Sequence, residues 1–316
     1  MKIGNVLSLF DGMSCGQIAL ERAGIEYDNY YASEIDKYAI KITQHNYPNT
    51  IQLGDVTKWK DWNIDWNSID LILAGSPCQG FSFAGKQLAF DDDRSKLFFV
   101  FIDILNHIRK FNSNVDFLLE NVRMKQEHQD VISQHLKVKP IMINSNLVSA
   151  QNRLRLYWTS IPNLGQPENK GILLRDILES GSVDRYKSLC LSKQIATNYG
   201  SQPYMRRRYF GKAFAQVVFE KGSALEHKTY WKKDPFGEFA TQSYIRGLTI
   251  LEMERLQTLP DNYTKVDGIS PINQSQALGN GWTVDVIVHI LKNLGQKNRF
   301  GAEQDLFSTV AIRGKV

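Results

Sequence analysis

Gly75-Ser76-Pro77-Cys78-Gln79-Gly80-Phe81-Ser82 directly follows an apolar run, residues 69–74, that only Asp70 interrupts. Such a run predicts a buried strand, and the Gly and Pro after it predict an abrupt turn. In an open α/β sheet, ligands bind outside the carboxyl ends of the strands, so this turn would bring the Cys78 thiol to a functional edge. A buried structural cysteine is the alternative, because free cysteines are commonly buried.

The composition of the chain narrows its class. With 316 residues and 42% hydrophobic content, the chain can bury a large core in one or two domains. Its three cysteines form no Cys-x-x-Cys pair and its histidines do not cluster at ligand spacing, so we expect neither a disulfide framework nor a metal site. Polar residues interrupt the N-terminal apolar run too early for a signal peptide, and no apolar run is long enough to span a membrane. We therefore expect a cytoplasmic protein without a membrane partner.

The formal charge of +5 is concentrated in the middle of the chain. Residues 166–245 hold thirteen Lys and Arg against eight Asp and Glu, whereas the flanking segments are close to balance. Three consecutive arginines, Arg206, Arg207 and Arg208, lie between aromatic residues in this segment. Arginines bind phosphates and read guanines, so the segment suits a polyanion such as DNA. A solvated basic face is the alternative.

Three predicted strand ends bear groups suited to a nucleotide-like cofactor. The first strand runs into a turn, Asp11 to Gly16, that opens a helix and would present backbone N–H groups to a ligand. Glu34 ends the second strand about 20 residues later, where an acidic side chain can hold ribose hydroxyls. Asp55 follows the third. The turn lacks the Gly-x-Gly-x-x-Gly spacing, which disfavours a nicotinamide dehydrogenase.

Several motifs in fixed order resemble the DNA cytosine-5 methyltransferases of prokaryotes and phages. The first block, Leu9-Phe10-Asp11-Gly12, is closer to the de novo methyltransferases of animals. The resemblance spans residues 5–162 and 245–294, and its further blocks are Pro77-Cys78-Gln79, Glu120-Asn121-Val122, Gln151-x-Arg153-x-Arg155, Leu248-Thr249-x-x-Glu252-x-x-Arg255-Leu256-Gln257-x-x-Pro260 and Gln276-Ala277-Leu278-Gly279-Asn280. The chain departs from the family pattern at Ser14, which replaces a glycine, and at Gly281-Trp282, which replaces Ser-Val.

The resemblance implies a fold and a domain organisation. The implied fold is the α/β, doubly wound, Rossmann-like sheet of the S-adenosylmethionine-dependent methyltransferases, with a smaller target recognition domain inserted. The catalytic domain would comprise residues 1–163 and 246–316 and be closed by a C-terminal helix, and residues 164–245 would form the recognition domain. The implied function is transfer of a methyl group from S-adenosylmethionine to C5 of a cytosine flipped out of duplex DNA, through a covalent bond between Cys78 and C6. S-adenosylhomocysteine would be the product.

The resemblance also implies roles for individual residues. Cys78 is the nucleophile, Glu120 contacts cytosine N3, Arg155 contacts the base, and Arg153 supports the loop and the backbone. The cofactor residues are Phe10, Asp11, Gly12, Ser14, Gly16, Glu34, Ile35, Asp55, Val56, Pro77 and Asn280. The DNA-binding residues are Ser82, Ala84, Lys86, Arg94, Arg206, Arg207 and Arg208, with Ala84 or Lys86 filling the gap left by the flipped base.

Other assignments stay open at this point. An RNA cytosine methyltransferase would share the same blocks, and a catalytically silent DNA-binding relative is a second alternative. A nicotinamide enzyme is a distant third. We expect a monomer on DNA, in a bacterial or phage-infected cell, and the setting stays open between a restriction–modification system, a phage and a solitary modification enzyme.

Overall fold

The computed structural model describes residues 1–76, 96–192, 216–222 and 244–296, together with Met205, Tyr209 and Glu226. Its strands are β1 (Lys2–Ile3), β2 (Asn5–Leu9), β3 (Glu26–Tyr27), β4 (Tyr30–Ser33), β5 (Ile51–Gln52), β6 (Ile69–Ala74), β7 (Asp116–Val122), β8 (Ile141–Asn144), β9 (Leu154–Thr159), β10 (Val218–Lys221) and β11 (Tyr244–Arg246). Its α-helices are α1 (Cys15–Ala23), α2 (Lys37–Asn46), α3 (Lys96–Ile108), α4 (Gln126–Leu136), α5 (Ile250–Leu256), α6 (Pro271–Asn280) and α7 (Val284–Leu291).

The main sheet has seven strands in the order β5-β4-β2-β6-β7-β9-β8. The five strands from β5 to β7 are parallel to their neighbours, and β9 is antiparallel to both β7 and β8. Parallel strands end at the same edge of a sheet, so the carboxyl ends of β4, β2, β6 and β7 form one continuous edge. This edge holds the candidate site.

Helices cover both faces of the sheet. Along β6, the side chains of Leu71 and Leu73 pack into the core cluster that contains α1 and α7. Ile72 and Ala74 pack into the opposite cluster, which contains α3 and α4. A strand with both faces covered needs apolar residues on both, which explains why residues 71–74 are all apolar and why only Asp70, near the start of β6, is not. The predicted doubly wound α/β fold is confirmed.

The strand before Glu120 is longer than the sequence indicated. The apolar pattern of residues 115–119 alone indicates a strand that ends at Leu119, but β7 continues to Val122 because β9 pairs with it there, with Val122 opposite Arg155. The parallel pairing of β7 with β6 ends earlier, at Leu119 opposite Ala74. Glu120 therefore lies in a strand, just beyond the end of β6.

The C-terminal helices return to the glycine-bearing turn. Thr249 caps α5, and Glu252, three residues later, completes a reciprocal capping box. The α7 helix packs in the same apolar cluster as α1. The Tyr263 hydroxyl donates to the carbonyl of Met13 at 2.7 Å, which ties the segment after α5 to the turn before α1.

A small unit, which we call the insert base, joins the middle of the chain to the main domain. It consists of residues 179–182, the antiparallel pair β10–β11 and Glu252. Ser182 forms a bridge with Phe219. Arg246 donates to Glu220 at 2.5 Å and to both carboxylate oxygens of Glu252, and Glu252 also accepts from the backbone N–H of Glu179. The recognition domain boundaries stay a prediction.

Within the described ranges, none of the helices combines the length and the apolar character that crossing a membrane requires. The same residues include no group of three or more His, Cys, Asp and Glu side chains arranged to hold a metal ion.

Candidate active site

Glu120 and Arg155 form an ion pair at the carboxyl edge of the sheet. The Nε atom of Arg155 lies 2.8 Å from Oε1 of Glu120, and the two side chains are only 14% and 12% exposed. The neighbouring antiparallel strands β7 and β9 bring the two residues together. An ion pair shielded from water is held in one geometry, because neither side chain can exchange its partner for water molecules. The edge thus holds a carboxylate whose direction is fixed.

The end of β6 is tied to the same edge by a buried hydrogen bond. The Asn121 side-chain amide donates to the Ser76 hydroxyl at 3.1 Å, and both residues are buried. Asn121 Oδ1 also accepts the backbone N–H of Val122. Residue 76 is therefore fixed beside the Glu120 strand, two residues before Cys78 in the sequence.

Arg153 and Arg155 lie on the same side, as residues two apart along an extended chain do, and the guanidiniums of both contact the Cys190 sulfur, at 3.5 and 3.8 Å. Arg153 is buried and donates to the carbonyls of Leu191 at 2.7 Å and Gly281 at 2.9 Å. Burial lowers the pKa of its guanidinium. Its contacts are those of a residue that supports backbone, and they join the segment leading into the middle of the chain to the loop after α6.

Gln151 lies at the centre of a buried polar network behind the arginines. Its amide nitrogen donates to the Leu256 carbonyl and to Gln257 Oε1, and its oxygen accepts the backbone N–H of Leu191. Gln257 in turn donates to the carbonyl of Gly281 at 3.0 Å. The network therefore joins three sequence blocks that are far apart in the chain, which gives the blocks around Gln151 and Gln257 a structural reason to occur together.

Glu34 binds the glycine-bearing turn from the end of β4. Its Oε2 accepts the backbone N–H of Gly12 at 2.8 Å, and its Oε1 accepts those of Ile35 and Asp36. Gly12 has φ of +62° and would have open space around an added Cβ. Phe10 and Ser14 have φ of 58° and 63°, a region that non-glycine residues adopt only where the surroundings hold them.

The predicted adenine-contacting residues lie along the same edge. Ile35 follows Glu34 and is 76% exposed. Asp55 caps a 3-10 helix, Val56–Asp61, and the hydrogen bonds from the Thr57 backbone and hydroxyl lower its carboxyl pKa. The neighbouring Gly54, with φ of +73°, also has open space where a Cβ would lie.

Trp282 lies between the glycine-bearing turn and the end of β6. Its carbonyl accepts from the Cys15 thiol, and its indole nitrogen lies 2.9 Å from where a Cβ on Gly75 would be. Asn280, the predicted cofactor residue of this block, is the exposed last residue of α6. Gly281 and Trp282, the pair that departs from the family pattern, thus border the edge on the side of α6.

The other predicted site residues lie outside the described residues. They are Cys78, Pro77, Ser82, Ala84, Lys86, Arg94, Arg206, Arg207 and Arg208.

Sequence reasoning missed some residues that shape this edge. Tyr30 donates its hydroxyl to Asp11 Oδ1 at 2.8 Å, and Gly16 leaves the room for it, since an added Cβ would lie 2.5 Å from that hydroxyl. The position of Tyr30 in an apolar strand indicates only that its side chain packs in the core. Ser76 and Gln257 lie inside motifs quoted above, but no role was assigned to either, because their partners Asn121 and Gln151 are far away in the sequence.

Comparison with known proteins agrees with this geometry. The sequence model of the family described as C-5 cytosine-specific DNA methylase matches residues 4–296. Type II methyltransferase M.NgoBV of Neisseria gonorrhoeae is 33% identical over 201 residues, 55% of this chain and 46% of that protein. Type II methyltransferase M.NlaX of Neisseria lactamica is 29% identical over 313 residues, 92% of this chain and 95% of that protein. The chain thus spans about half the length of M.NgoBV and nearly all of M.NlaX.

A solved structure extends the comparison to the fold. DNMT2 of Spodoptera frugiperda superposes with a TM-score of 0.68 at 21% identity, covering 92% of this chain and 99% of that one. The shared architecture is the Rossmann-like methyltransferase fold. The family match covers more than half of the sequence, and it includes the residues that form the edge described above. The chain therefore belongs to the C-5 cytosine-specific DNA methylase family.

Proposed function

We propose that this protein methylates C5 of a flipped-out cytosine within a specific sequence of duplex DNA, using S-adenosylmethionine as the methyl donor. The observation that supports it most directly is the buried Glu120–Arg155 pair beside Ser76. Cys78 follows Ser76 by two residues, and two residues of chain span at most about 7 Å. The chain therefore allows the thiol to reach the edge where the carboxylate and the guanidinium are fixed.

The proposed chemistry starts from the low nucleophilicity of cytosine C5. The Cys78 thiolate adds to C6, and electron density moves through the ring toward N3 and C5. Glu120, in its protonated form, donates a hydrogen bond to N3 and gives it the proton that neutralises the charge developing there. Arg155 orients Glu120 through Nε and can bind the base oxygen O2 with another nitrogen. After C5 has accepted the methyl group, loss of the C5 proton and elimination of Cys78 restore the aromatic ring.

The residues at the adjoining strand ends fit S-adenosylmethionine. The open space at Gly12 and Gly54 leaves room for a ligand against the backbone. Glu34 suits the ribose hydroxyls, Asp55 suits the adenine amino group, and exposed Ile35 offers apolar surface to the ring. When bound, the cofactor supplies an electrophilic methyl group on a sulfonium.

Arg153 is a positioning residue in this proposal. Its hydrogen bonds to the Leu191 and Gly281 carbonyls connect the segment that leads to residues 193–215 with the loop that carries Trp282. We propose that residues 164–245 form the recognition domain and bind DNA through Arg206, Arg207 and Arg208, while Ser82, Ala84, Lys86 and Arg94 close over the flipped base. A flipped base costs a few kcal/mol of lost stacking and pairing, which contacts of this kind offset.

Bisulfite sequencing of plasmid DNA from cells expressing the protein tests the proposal. We expect 5-methylcytosine at one recurrent sequence for the wild type and none for Cys78→Ser, with specific DNA binding retained by the variant. Methylation by Cys78→Ser at the wild-type rate would contradict the covalent step. Transfer of labelled methyl groups to RNA and not to duplex DNA would contradict the choice of substrate.

A further inference from the structure

The Asp11 carboxylate, on one of the predicted cofactor residues, is shielded from solvent, and the methyl-transfer steps proposed above give it no role. It follows the carboxyl end of β2 and precedes the Gly12 turn. Its Oδ1 accepts the Tyr30 hydroxyl at 2.8 Å. Its Oδ2 is closed off from solvent and has no hydrogen-bond partner in the part of the chain that the structure describes. A buried oxygen without a partner is costly, which suggests that this charge serves a purpose.

Tyr30 fixes that carboxylate. The tyrosine is 2% exposed, and its hydroxyl fits against α1 only because residue 16 is a glycine. The turn on which Asp11 lies passes through positive φ at Phe10, Gly12 and Ser14. A turn with this many unfavourable torsions depends on cross-links, and the Tyr30–Asp11 bond is one of them.

The electrostatic surroundings of Asp11 are anionic or neutral. Burial raises its pKa to about 6, while the hydroxyls of Ser8, Tyr30 and Ser14 act in the opposite direction. The titratable groups that interact with it are Tyr30 and Glu34 from β4, Cys15 from α1, Tyr27 from β3 and Tyr263 from the segment after α5. None of these five is cationic. A pKa of about 6 leaves the carboxylate mostly ionised at pH 7, and none of these groups supplies a balancing positive charge.

The order of the strands places Asp11 under one particular part of the cofactor. In the proposed site, the ribose lies at Glu34 after β4, and the methyl acceptor lies beside Cys78 after β6. The sulfur of S-adenosylmethionine joins the ribose to the transferred methyl group. Since β2 lies between β4 and β6 in the sheet, the sulfur must cross the end of β2, where Asp11 lies. Neighbouring strands are about 4.8 Å apart, so the bound sulfur would lie within a few ångströms of Asp11.

We propose that the Asp11 carboxylate, held by the Tyr30 hydroxyl, is the counter-charge that makes this site prefer the sulfonium donor to its demethylated product, and that Tyr30 is a positioning residue for the cofactor. The inference rests on the proposed S-adenosylmethionine site. The product S-adenosylhomocysteine lacks the sulfonium charge, so it gains nothing from Asp11. The same carboxylate would thus favour both donor binding and product release.

Isothermal titration calorimetry with the full chain tests this between pH 5 and pH 7. The ligands are S-adenosylmethionine, S-adenosylhomocysteine and sinefungin, in which an amine replaces the sulfonium. For the wild type at pH 7, we expect both cationic ligands to bind about tenfold more tightly than S-adenosylhomocysteine, as unlike charges a few ångströms apart in a partly shielded site would give. Protonation of Asp11 below pH 6 removes the preference, so it is present above this pH and lost as the pH falls.

Two variants separate the charge from its positioning. Asp11→Asn should bind all three ligands with similar affinity at every pH. Tyr30→Phe removes a donor to the carboxylate, so its preference for the cations should shrink at pH 7 and disappear at a higher pH than in the wild type. Tyr31→Phe, in which the altered side chain packs on the other face of the sheet, is the matched control and should resemble the wild type. Thermal melting checks that each variant is folded.

Equal affinity of the folded wild type for donor and product across this pH range would overturn the inference and leave the cofactor site intact. Retention of the preference by Asp11→Asn would also overturn it. If the folded wild type bound none of the three ligands, the proposed cofactor site itself would be wrong, and the inference would fail with it.

Discussion

The indole of Trp282 packs directly against Gly75, the last residue before Ser76 and the Cys78 segment. The indole nitrogen would lie 2.9 Å from an added Cβ on Gly75, and two indole carbons would lie at 3.3 Å. With Trp282 in this position, only glycine fits at residue 75 without a steric overlap. The two residues are far apart in the sequence, so their contact joins the end of β6 to the loop before α7.

Gly75→Ala should destabilise the protein by about 1–3 kcal/mol, because the new methyl group overlaps the Trp282 indole. We expect a lower melting temperature and weaker binding of S-adenosylmethionine, measured by differential scanning fluorimetry and calorimetry. Adding Trp282→Val should restore the melting temperature. Gly165→Ala is the control, since a Cβ at that position meets nothing within 4 Å. An unchanged melting temperature for Gly75→Ala would contradict the contact.

Glu120→Gln should lower kcat by roughly 10²-fold or more, because the amide keeps the shape of the side chain but not its proton chemistry at N3. The measurement is transfer of labelled methyl groups to duplex DNA, with DNA affinity followed separately and expected to stay within a few-fold of the wild type. Glu127→Gln provides the control, since Glu127 is a carboxylate on α4 with a side chain 66% exposed. Equal loss of activity in both variants would argue against a specific role for Glu120.

Arg153→Met and Arg155→Met should fail in different ways. Removing the Arg153 guanidinium leaves the Leu191 and Gly281 carbonyls without their donor in a buried site, at a cost of about 1–3 kcal/mol for each group. We expect Arg153→Met to lose thermal stability, and Arg155→Met to lose methyl transfer at substrate saturation while melting closer to the wild type. Chemical denaturation and single-turnover kinetics distinguish the two, and the opposite pattern would reverse the assignment of roles.

Arg246→Met should loosen the insert base and weaken DNA binding more than cofactor binding. The guanidinium is 15% exposed and pairs with Glu252, whose side chain is fully buried, so its loss leaves a buried carboxylate uncompensated, at a cost of about 3–5 kcal/mol. Limited proteolysis should then cut within residues 183–243 before the rest of the chain. Arg175→Met, at a side chain 72% exposed, is the control. Equal resistance to protease in both variants would contradict the prediction.

The fold could be predicted because its strands are covered on both faces. The apolar runs of β2 and β6 and the glycine-bearing turn between β2 and α1 are local signals, and the capping box of Thr249 and Glu252 is contained in four residues. The shared side of Arg153 and Arg155 follows from strand geometry alone. These features need no knowledge of what lies across the sheet.

Contacts between distant segments could not be predicted in this way. Tyr30 in an apolar strand indicates a core residue, and its bond to Asp11 depends on β4 lying next to β2. The contact of Trp282 with Gly75 depends on α7 returning to α1, which the sequence indicates only through the resemblance. The full length of β7 was missed because its last residues are held by β9 and not by their own pattern.

The insert base has a consequence for how such an enzyme could change its target. Residues 193–215 begin just after Leu191, which Arg153 and Gln151 hold, and end just before β10, whereas residues 223–243 connect β10 to β11. Doubling the length of a segment whose ends are already fixed costs only about 0.6 kcal/mol of closure entropy. If these segments bind DNA as proposed, exchanging residues 193–215 or 223–243 would change the specificity without altering the edge that holds Glu120 and Arg155.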